Sequence, residues 1–202
     1  MRSLFLDLNS FFASVEQQLH PSLRGKPVAV APVLADGGCR VAASYEAKRF
    51  GVKTGTRVRD ARRLCPDIIV VKTQHRVSVE MHHKIIAAVE SCPPVEHVIS
   101  IDEMSCRLSR AAQNPKVAIE LAHRIKATIR HRVGECTRSL IGIAPNRFLA
   151  KVGTDMQKPD GLVVIQTRQL PHRLHHLAPQ DLSGIGPPMA ANLGNEGITT
   201  VA

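Results

Sequence analysis

The sequence has no tryptophan and few other aromatic residues, with five phenylalanines and one tyrosine in 202 residues. This scarcity argues against a base-stacking platform of the kind that single-strand and RNA-binding modules use. No stretch approaches eighteen uninterrupted apolar residues, and Asp7 comes too early for a signal peptide, so we expect a cytoplasmic protein without membrane spans. The five cysteines form no C-x-x-C pair, and we expect them to be reduced and structural.

Positive charge is what the chain has in excess. Lys and Arg number 27 against 17 Asp and Glu, which gives a formal net charge of +10. The excess is local, because residues 40–63 hold eight basic and two acidic side chains whereas residues 168–202 are balanced. A basic surface predicts a polyanionic partner, although charge alone does not choose between a nucleic acid and a membrane surface.

Apolar periodicity and breaker residues give the order of the predicted elements. Strands are predicted at 4–8, 27–30, 40–44, 95–99, 104–108, 139–143 and 162–165, and helices at 13–19, 45–50, 59–64, 77–91, 115–133, 146–156 and 189–193. This order predicts an α+β fold, a ferredoxin-like sheet with a small, basic and mostly helical module inserted after the first strand. The glycine turn at 182–188 resembles the first half of a helix-hairpin-helix, whose Gly184 and Gly186 would offer backbone N–H groups to a DNA phosphate.

Three acidic residues stand at predicted strand ends, Asp7 after the first strand and Asp102 with Glu103 in the hairpin. If those strands are neighbours, the carboxylates meet at one sheet edge and need cations between them. Hard oxygen ligands favour Mg²⁺, and a pair of such ions can serve nucleotidyl transfer. On spacing alone, unrelated surface or capping acids are the better interpretation.

Six collinear segments change that balance, because together they resemble the Y-family translesion DNA polymerases, especially the bacterial DNA polymerase IV (DinB-like) type. They span residues 5–16, 25–30, 45–52, 100–103, 143–151 and 158–161. The resemblance implies a ferredoxin-like palm (1–10 and 77–167), a small fingers module (11–76) and a partial helical thumb (168–202). It also implies that the family's little-finger domain is absent from this chain.

The resemblance assigns a catalytic set and a nucleotide-binding set. Asp7, Asp102 and Glu103, with the backbone carbonyl of Leu8, are expected to hold two Mg²⁺ ions. Phe12 matches the steric gate against a 2′-hydroxyl, beside Phe11, which is also a core candidate. The expected nucleotide and DNA contacts are Phe11, Phe12, Tyr45, Lys48 and Lys158 for the nucleotide, and Arg57, Arg59, Gly184 and Gly186 for DNA.

The expected activity is template-directed, error-prone DNA synthesis in damage tolerance, with primer-template DNA and dNTPs as partners of a monomer. A sliding clamp is a further partner of the family, although this chain holds no clamp-binding peptide. Three positions depart from the family pattern: Lys48 replaces an arginine, Ala42 replaces a hydroxyl residue and Asn9 replaces a frequent aspartate. The alternatives are a catalytically weak or inactive DNA-binding scaffold and, on the same palm, a nucleotide cyclase.

Overall fold

The computed structural model describes residues 1–34 and 42–202, which form α-helices and two β-sheets. Its strands are β1 Ser3–Leu8, β2 Val28–Ala31, β3 Ala42–Ala43, β4 Ile69–Lys72, β5 Val95–Val98, β6 Glu103–Arg107, β7 Ser139–Ala144 and β8 Leu162–Val164. Its helices are α1 Phe11–Leu19, α2 Tyr45–Lys48, α3 Val58–Leu64, α4 His75–Glu90, α5 Pro115–Arg132, α6 Arg147–Met156 and α7 Pro187–Asn195. The predicted α+β class is confirmed.

The chain divides into two compact units. The first unit comprises residues 1–7, 90–125 and 139–202, and the second comprises residues 8–89 and 126–138. The first unit is built on a five-stranded sheet in the order β5-β6-β1-β7-β8. The order β5-β6-β1-β7 is that of a ferredoxin-like sheet, and β8 extends it by one parallel strand beside β7.

The centre of this sheet is a buried apolar strand, as its sequence predicts. Leu4 and Leu6 of β1 are fully buried, and the antiparallel register with β6 places Leu6 opposite Met104 and Asp7 opposite Glu103. The strand pair therefore carries two carboxylates to the same end of adjacent strands, at the point where the apolar run stops.

Helix α6 packs on β7 and β8 at unusually close range. The contact is at Gly142, where an added Cβ would lie 1.9 Å from the carbonyl oxygen of Ala150. A second glycine, Gly153, faces the Cα of Gly142. This contact between α6 and β7, called the β7–α6 seam below, lies in the core of the first unit. The buried residues of this core are Phe5, Ala144, Leu149, Ala150, Val163 and Ile165.

The inserted region differs from its sequence prediction by one strand. It contains a three-stranded sheet in the order β3-β2-β4, and β4 was not predicted. The β-branched run Ile69–Val71 pairs parallel to β2 and partly covers its core. Of the strand predicted at 40–44, Ala42 and Ala43 pair with β2, and residues 40 and 41 lie outside the described residues.

Among the cysteines in the described part of the chain, Cys65, Cys106 and Cys136 are free thiols. Cys65 and Cys106 are buried, and burial raises the pKa of the Cys106 thiol to about 12, as expected for a core residue. Cys39 lies outside the described residues. Across 1–34 and 42–202, no helix combines the length and the apolar character that crossing a membrane would take.

Candidate functional site

Two of the three predicted metal-binding carboxylates converge in the first unit. Asp7 Oδ2 lies 2.6 Å from Lys151 Nζ, and Glu103 Oε1 lies 2.7 Å from the same nitrogen. The pairing of β1 with β6 brings the two acids together, and α6 supplies the lysine. The site is therefore a pair of carboxylates that already share one cation.

The position of Lys151 follows from the start of α6. Asn146 caps this helix, with its side-chain oxygen accepting a hydrogen bond of 2.9 Å from the Leu149 N–H. Lys151 falls just past the first turn, between buried Ala150 and Val152, and its ammonium also lies 5.4 Å from the centre of the Phe5 ring. An aromatic face toward an ammonium adds a further favourable electrostatic contact.

This cluster is largely screened from solvent, since the side chains of Asp7 and Lys151 are 15% and 17% exposed. Burial raises the pKa of Asp7, and the hydrogen bond and charge of Lys151 oppose that effect. Burial alone would lower the pKa of Lys151. The hydrogen bonds to Asp7 and Glu103 and the charges of Asp7 and Asp155 outweigh burial and raise this pKa. The ammonium therefore stays charged at neutral pH.

The third predicted carboxylate, Asp102, has a different partner. Its Oδ1 accepts a hydrogen bond of 2.6 Å from the Ser100 hydroxyl. Within residues 1–34 and 42–202, no three His, Cys, Asp or Glu side chains are grouped so that they could hold one metal ion. Leu8, whose carbonyl is the fourth predicted ligand, ends β1 as a buried residue. The two-metal assignment stays a prediction.

A cavity of about 730 Å³ lies beside this cluster in the first unit. Glu103 and Lys151 form part of its wall. The large apolar side chains Val98, Ile99 and Phe148 also line it, and each is about half exposed. The apolar side chains of this wall can contact the carbon framework of a ligand. The charged groups beside them can bind a polar group of the same ligand, either through the Lys151 ammonium or through a cation on the carboxylates.

A second cavity, of about 820 Å³, has predicted phosphate-contacting residues in its wall. Lys158, Gly184 and Gly186 line it together with Asp155. Lys158 Nζ contacts Asp155 Oδ1 at 2.7 Å. Gly184 has a φ of 98°, which suits glycine in the turn before α7. Pro187 and Pro188 begin α7 and carry no N–H, so the donors at this turn must come from residues around Gly184 and Gly186.

In the second unit, the predicted nucleotide-binding residues Tyr45 and Lys48 lie together on α2. Lys48 Nζ is 4.5 Å from the centre of the Tyr45 ring and donates a hydrogen bond of 2.7 Å to the Ser10 hydroxyl. Ser10 precedes α1 with a φ of 45°, a left-handed conformation that is costly for a non-glycine residue. Sequence reasoning did not select Ser10 as a site residue.

Phe11 and Phe12 begin α1 and differ in burial. Phe11 is 3% exposed, as its core assignment predicts. Phe12 is partly exposed, packs beside Val28 and Val30, and meets the Phe11 ring edge-on at 5.4 Å. Ala42, on the neighbouring β3, offers no hydroxyl at the position where the family has one.

The predicted DNA-contacting arginines lie at the start of α3 in the second unit. Arg57 is the N-cap residue of this helix, and Arg59 lies 3.8 Å from Asp60. The side chain of Arg59 is 58% exposed, so it is available to a polyanion. The basic excess of residues 40–63 is thus partly carried by the surface of one short helix.

Besides Ser10, sequence reasoning missed Lys151 and Asp155. Lys151 lies within the matched segment 143–151 but received no role, and Asp155 follows it by one helical turn at 3.7 Å. The available signal was one charged residue in an otherwise buried run, at helical spacing from a carboxylate.

Comparison with known proteins gives consistent results. The impB/mucB/samB family model matches residues 6–155. The DNA polymerase IV of Moorella thermoacetica is 40% identical over 200 residues, which are 98% of this chain and 50% of that protein. The DNA polymerase IV of Bacillus velezensis is 38% identical over 197 residues, which are 97% of this chain and 47% of that protein. The chain spans about half the length of the curated relatives it matches.

Solved structures agree with the sequence comparisons. DinB from Sulfolobus solfataricus superposes with a TM-score of 0.89 at 32% identity, over 99% of this chain and 58% of that one. The insertion ternary complex of Dbh DNA polymerase gives a TM-score of 0.91 at 32% identity, over 99% of this chain and 59% of that one. The resemblance seen in the sequence is confirmed: the chain belongs to the impB/mucB/samB family, the Y-family translesion DNA polymerases of the DNA polymerase IV type.

Proposed function

We propose that this chain carries the catalytic part of an error-prone DNA polymerase that adds dNTPs to a primer 3′-hydroxyl under the direction of a template. One observation carries the proposal: Asp7 and Glu103 lie opposite each other on β1 and β6 with both carboxylates on one cation. Relatives named DNA polymerase IV, at up to 40% identity, and a neighbour captured as an insertion ternary complex support the reaction class.

The carboxylates suit a divalent cation, because two of them already share a positive charge and their oxygens are hard ligands. Asp7, Asp102, Glu103 and the Leu8 carbonyl would hold two Mg²⁺ ions. The chemistry that such ions would supply is activation of the attacking primer hydroxyl and stabilisation of negative charge on the leaving pyrophosphate. The chain's own Asp7 and Glu103 are held beside each other, because they stand opposite on two paired strands.

The incoming nucleotide would be recognised through its phosphates and its sugar. Lys48, oriented by Ser10 and the Tyr45 ring, and Lys158 provide positive charge for the triphosphate, and the Tyr45 hydroxyl provides a donor. Phe12, partly exposed at the start of α1, would pack against the sugar and exclude a 2′-hydroxyl. Lysine at position 48 and alanine at position 42 predict weaker nucleotide binding than the family pattern gives.

Contacts with DNA would be mainly to the backbone. Arg57 and Arg59 suit template phosphates, and the turn around Gly184 and Gly186 suits a duplex phosphate. The apolar wall beside Glu103 suits the sugar and base of a primer terminus. Few aromatic residues and a basic surface predict binding that weakens steeply with salt. A sliding clamp, a monomeric state and a cytoplasmic location are expected on the resemblance.

Single-nucleotide primer extension tests the proposal directly. The chain 1–202 in excess, at low salt with Mg²⁺, should extend a primer by the templated nucleotide. Asp102→Ala should abolish extension, because it removes one of the proposed metal-binding carboxylates, whereas Glu120→Ala, which removes an exposed acid on α5, should extend like the parent. DNA binding without any extension by the parent chain would overturn the polymerase proposal and favour the scaffold alternative.

A further inference from the structure

Lys151 is held by acidic groups from three elements of the first unit. Its ammonium contacts Asp7 of β1 at 2.6 Å, Glu103 of β6 at 2.7 Å and Asp155 of its own helix at 3.7 Å. The side chain is 17% exposed, so water screens these attractions weakly. A single ammonium is therefore shared by three carboxylates, and it balances the charge of one of them.

The same two carboxylates are proposed above to bind divalent cations. An ammonium and a divalent ion on the same oxygens would stand a few ångströms apart, and like charges at that range in a poorly screened site repel strongly. The lysine and the metal therefore compete for Asp7 and Glu103. A displaced ammonium has a nearby acceptor in Asp155, one turn along α6. Its Oδ1 contacts Lys158 at 2.7 Å, and its Oδ2 is already 3.7 Å from the Lys151 ammonium.

We propose that Lys151 is an internal counter-cation that occupies the carboxylate pair until a divalent ion binds, and that Asp155 receives its ammonium at that step. Lys151 is thus a positioning residue, which sets the metal concentration at which the site fills. The inference rests on the metal assignment of the proposed function and adds a competitor from the chain itself. It predicts that removing Lys151 and removing Asp155 change metal affinity in opposite directions.

Metal binding without DNA or nucleotide tests this competition. Mn²⁺ affinity is measured by electron paramagnetic resonance of the free ion, and Mg²⁺ affinity by calorimetry, on the chain 1–202. Lys151→Met should bind about tenfold more tightly or better, because no ammonium has to leave. Lys151→Arg, which keeps the charge, should stay within about threefold of the parent. Asp155→Asn should bind several-fold more weakly, and Lys116→Met, an exposed charge deletion on α5, should not differ from the parent.

Thermal unfolding gives a second readout that does not depend on catalysis. In EDTA, Lys151→Met should melt about 5 °C or more below the parent, because two carboxylates lose their counter-charge. Saturating Mg²⁺ should raise its melting temperature by more than it raises that of the parent. Lys116→Met should respond to Mg²⁺ as the parent does.

The outcomes separate the inference from the proposed function. Weaker metal binding by Lys151→Met would mean that the lysine orders the ligands, which overturns the competition. Equal binding by parent and Lys151→Met would overturn it while leaving the metal site intact. Binding by Lys151→Met alone would support it. If no variant binds metal, the metal assignment and the inference both fail, whereas primer extension with Mg²⁺ tests the polymerase proposal separately.

Discussion

The β7–α6 seam makes Gly142→Ala the most informative test of the fold that carries the site. A Cβ at position 142 would lie 1.9 Å from the Ala150 carbonyl oxygen and 3.0 Å from the Thr154 nitrogen. Ordinary contact begins at 3.4 Å, so α6 would have to move by about 1.5 Å. Both obstructing atoms belong to the backbone, and no side-chain rotation relieves the clash.

The expected cost is about 3 kcal/mol, at the upper end of overpacking penalties, because a rigid helix has to move. Such a shift also separates Lys151 from Asp7 and Glu103, whose contacts of 2.6 and 2.7 Å leave little room for displacement. Urea unfolding followed by circular dichroism, at one pH and in EDTA, measures the change in free energy of unfolding.

Two further glycines on helices provide graded controls. At Gly153 the closest contact of an added Cβ is 3.4 Å, so Gly153→Ala should cost less than about 1 kcal/mol. At Gly194 in exposed α7 nothing lies within 4 Å, so Gly194→Ala should be neutral or stabilising by up to about 1 kcal/mol. If Gly142→Ala unfolds within about 0.5 kcal/mol of the parent, the close packing of α6 on β7 is refuted.

Two other predictions concern the second unit. Phe12→Ala should admit ribonucleotides at least tenfold more readily while retaining dNTP use, as single-nucleotide extension with rNTPs would measure, and unchanged sugar selection would contradict the gate assignment. Burial raises the pKa of Glu16, which is 3% exposed. The folded state therefore holds the carboxyl proton more tightly than the unfolded state does. The free energy of unfolding consequently falls as pH rises from the unfolded-state pKa through the folded-state pKa. The melting temperature of Glu16→Gln minus that of the parent should therefore increase from pH 4 to pH 7, and a difference independent of pH would show that Glu16 is not desolvated in the folded state.

Most of the first unit could be predicted from sequence, because its main elements have clear helical periodicity or uninterrupted apolar runs. The alternation of buried and exposed positions in α5 and the apolar run of β1 place each element within one or two residues of the structure. β4 was missed for the opposite reason. It has four residues, and the structure leaves its side chains only partly buried, so periodicity carries little information about it. Pairing with β2 is what makes it a strand.

The candidate site was also predictable from sequence only in part. Asp7 and Glu103 could be selected because strand ends are visible in a sequence, and a resemblance raised their rank above that of ordinary surface acids. The turn of Asp102 toward Ser100 could not, because it depends on a side-chain rotamer within the hairpin. Lys151 was overlooked because a lysine in a helix is usually a solvated surface residue. Its helical spacing from Asp155 is a weak signal that many surface pairs share. Its depth in the fold is what distinguishes it, and depth is a property of tertiary packing.

The depth of Lys151 follows from features that lie in three places along the chain. Gly142 admits α6 to close contact with β7, and the Asn146 cap fixes where the helix begins. The β1 and β6 register then brings Asp7 and Glu103 to the same ammonium. Loss of any one of these features would leave the lysine in solvent or the carboxylates without a counter-charge. If the proposed competition holds, the affinity of this site for a divalent ion would therefore depend on the packing of a helix as well as on the identity of its ligands.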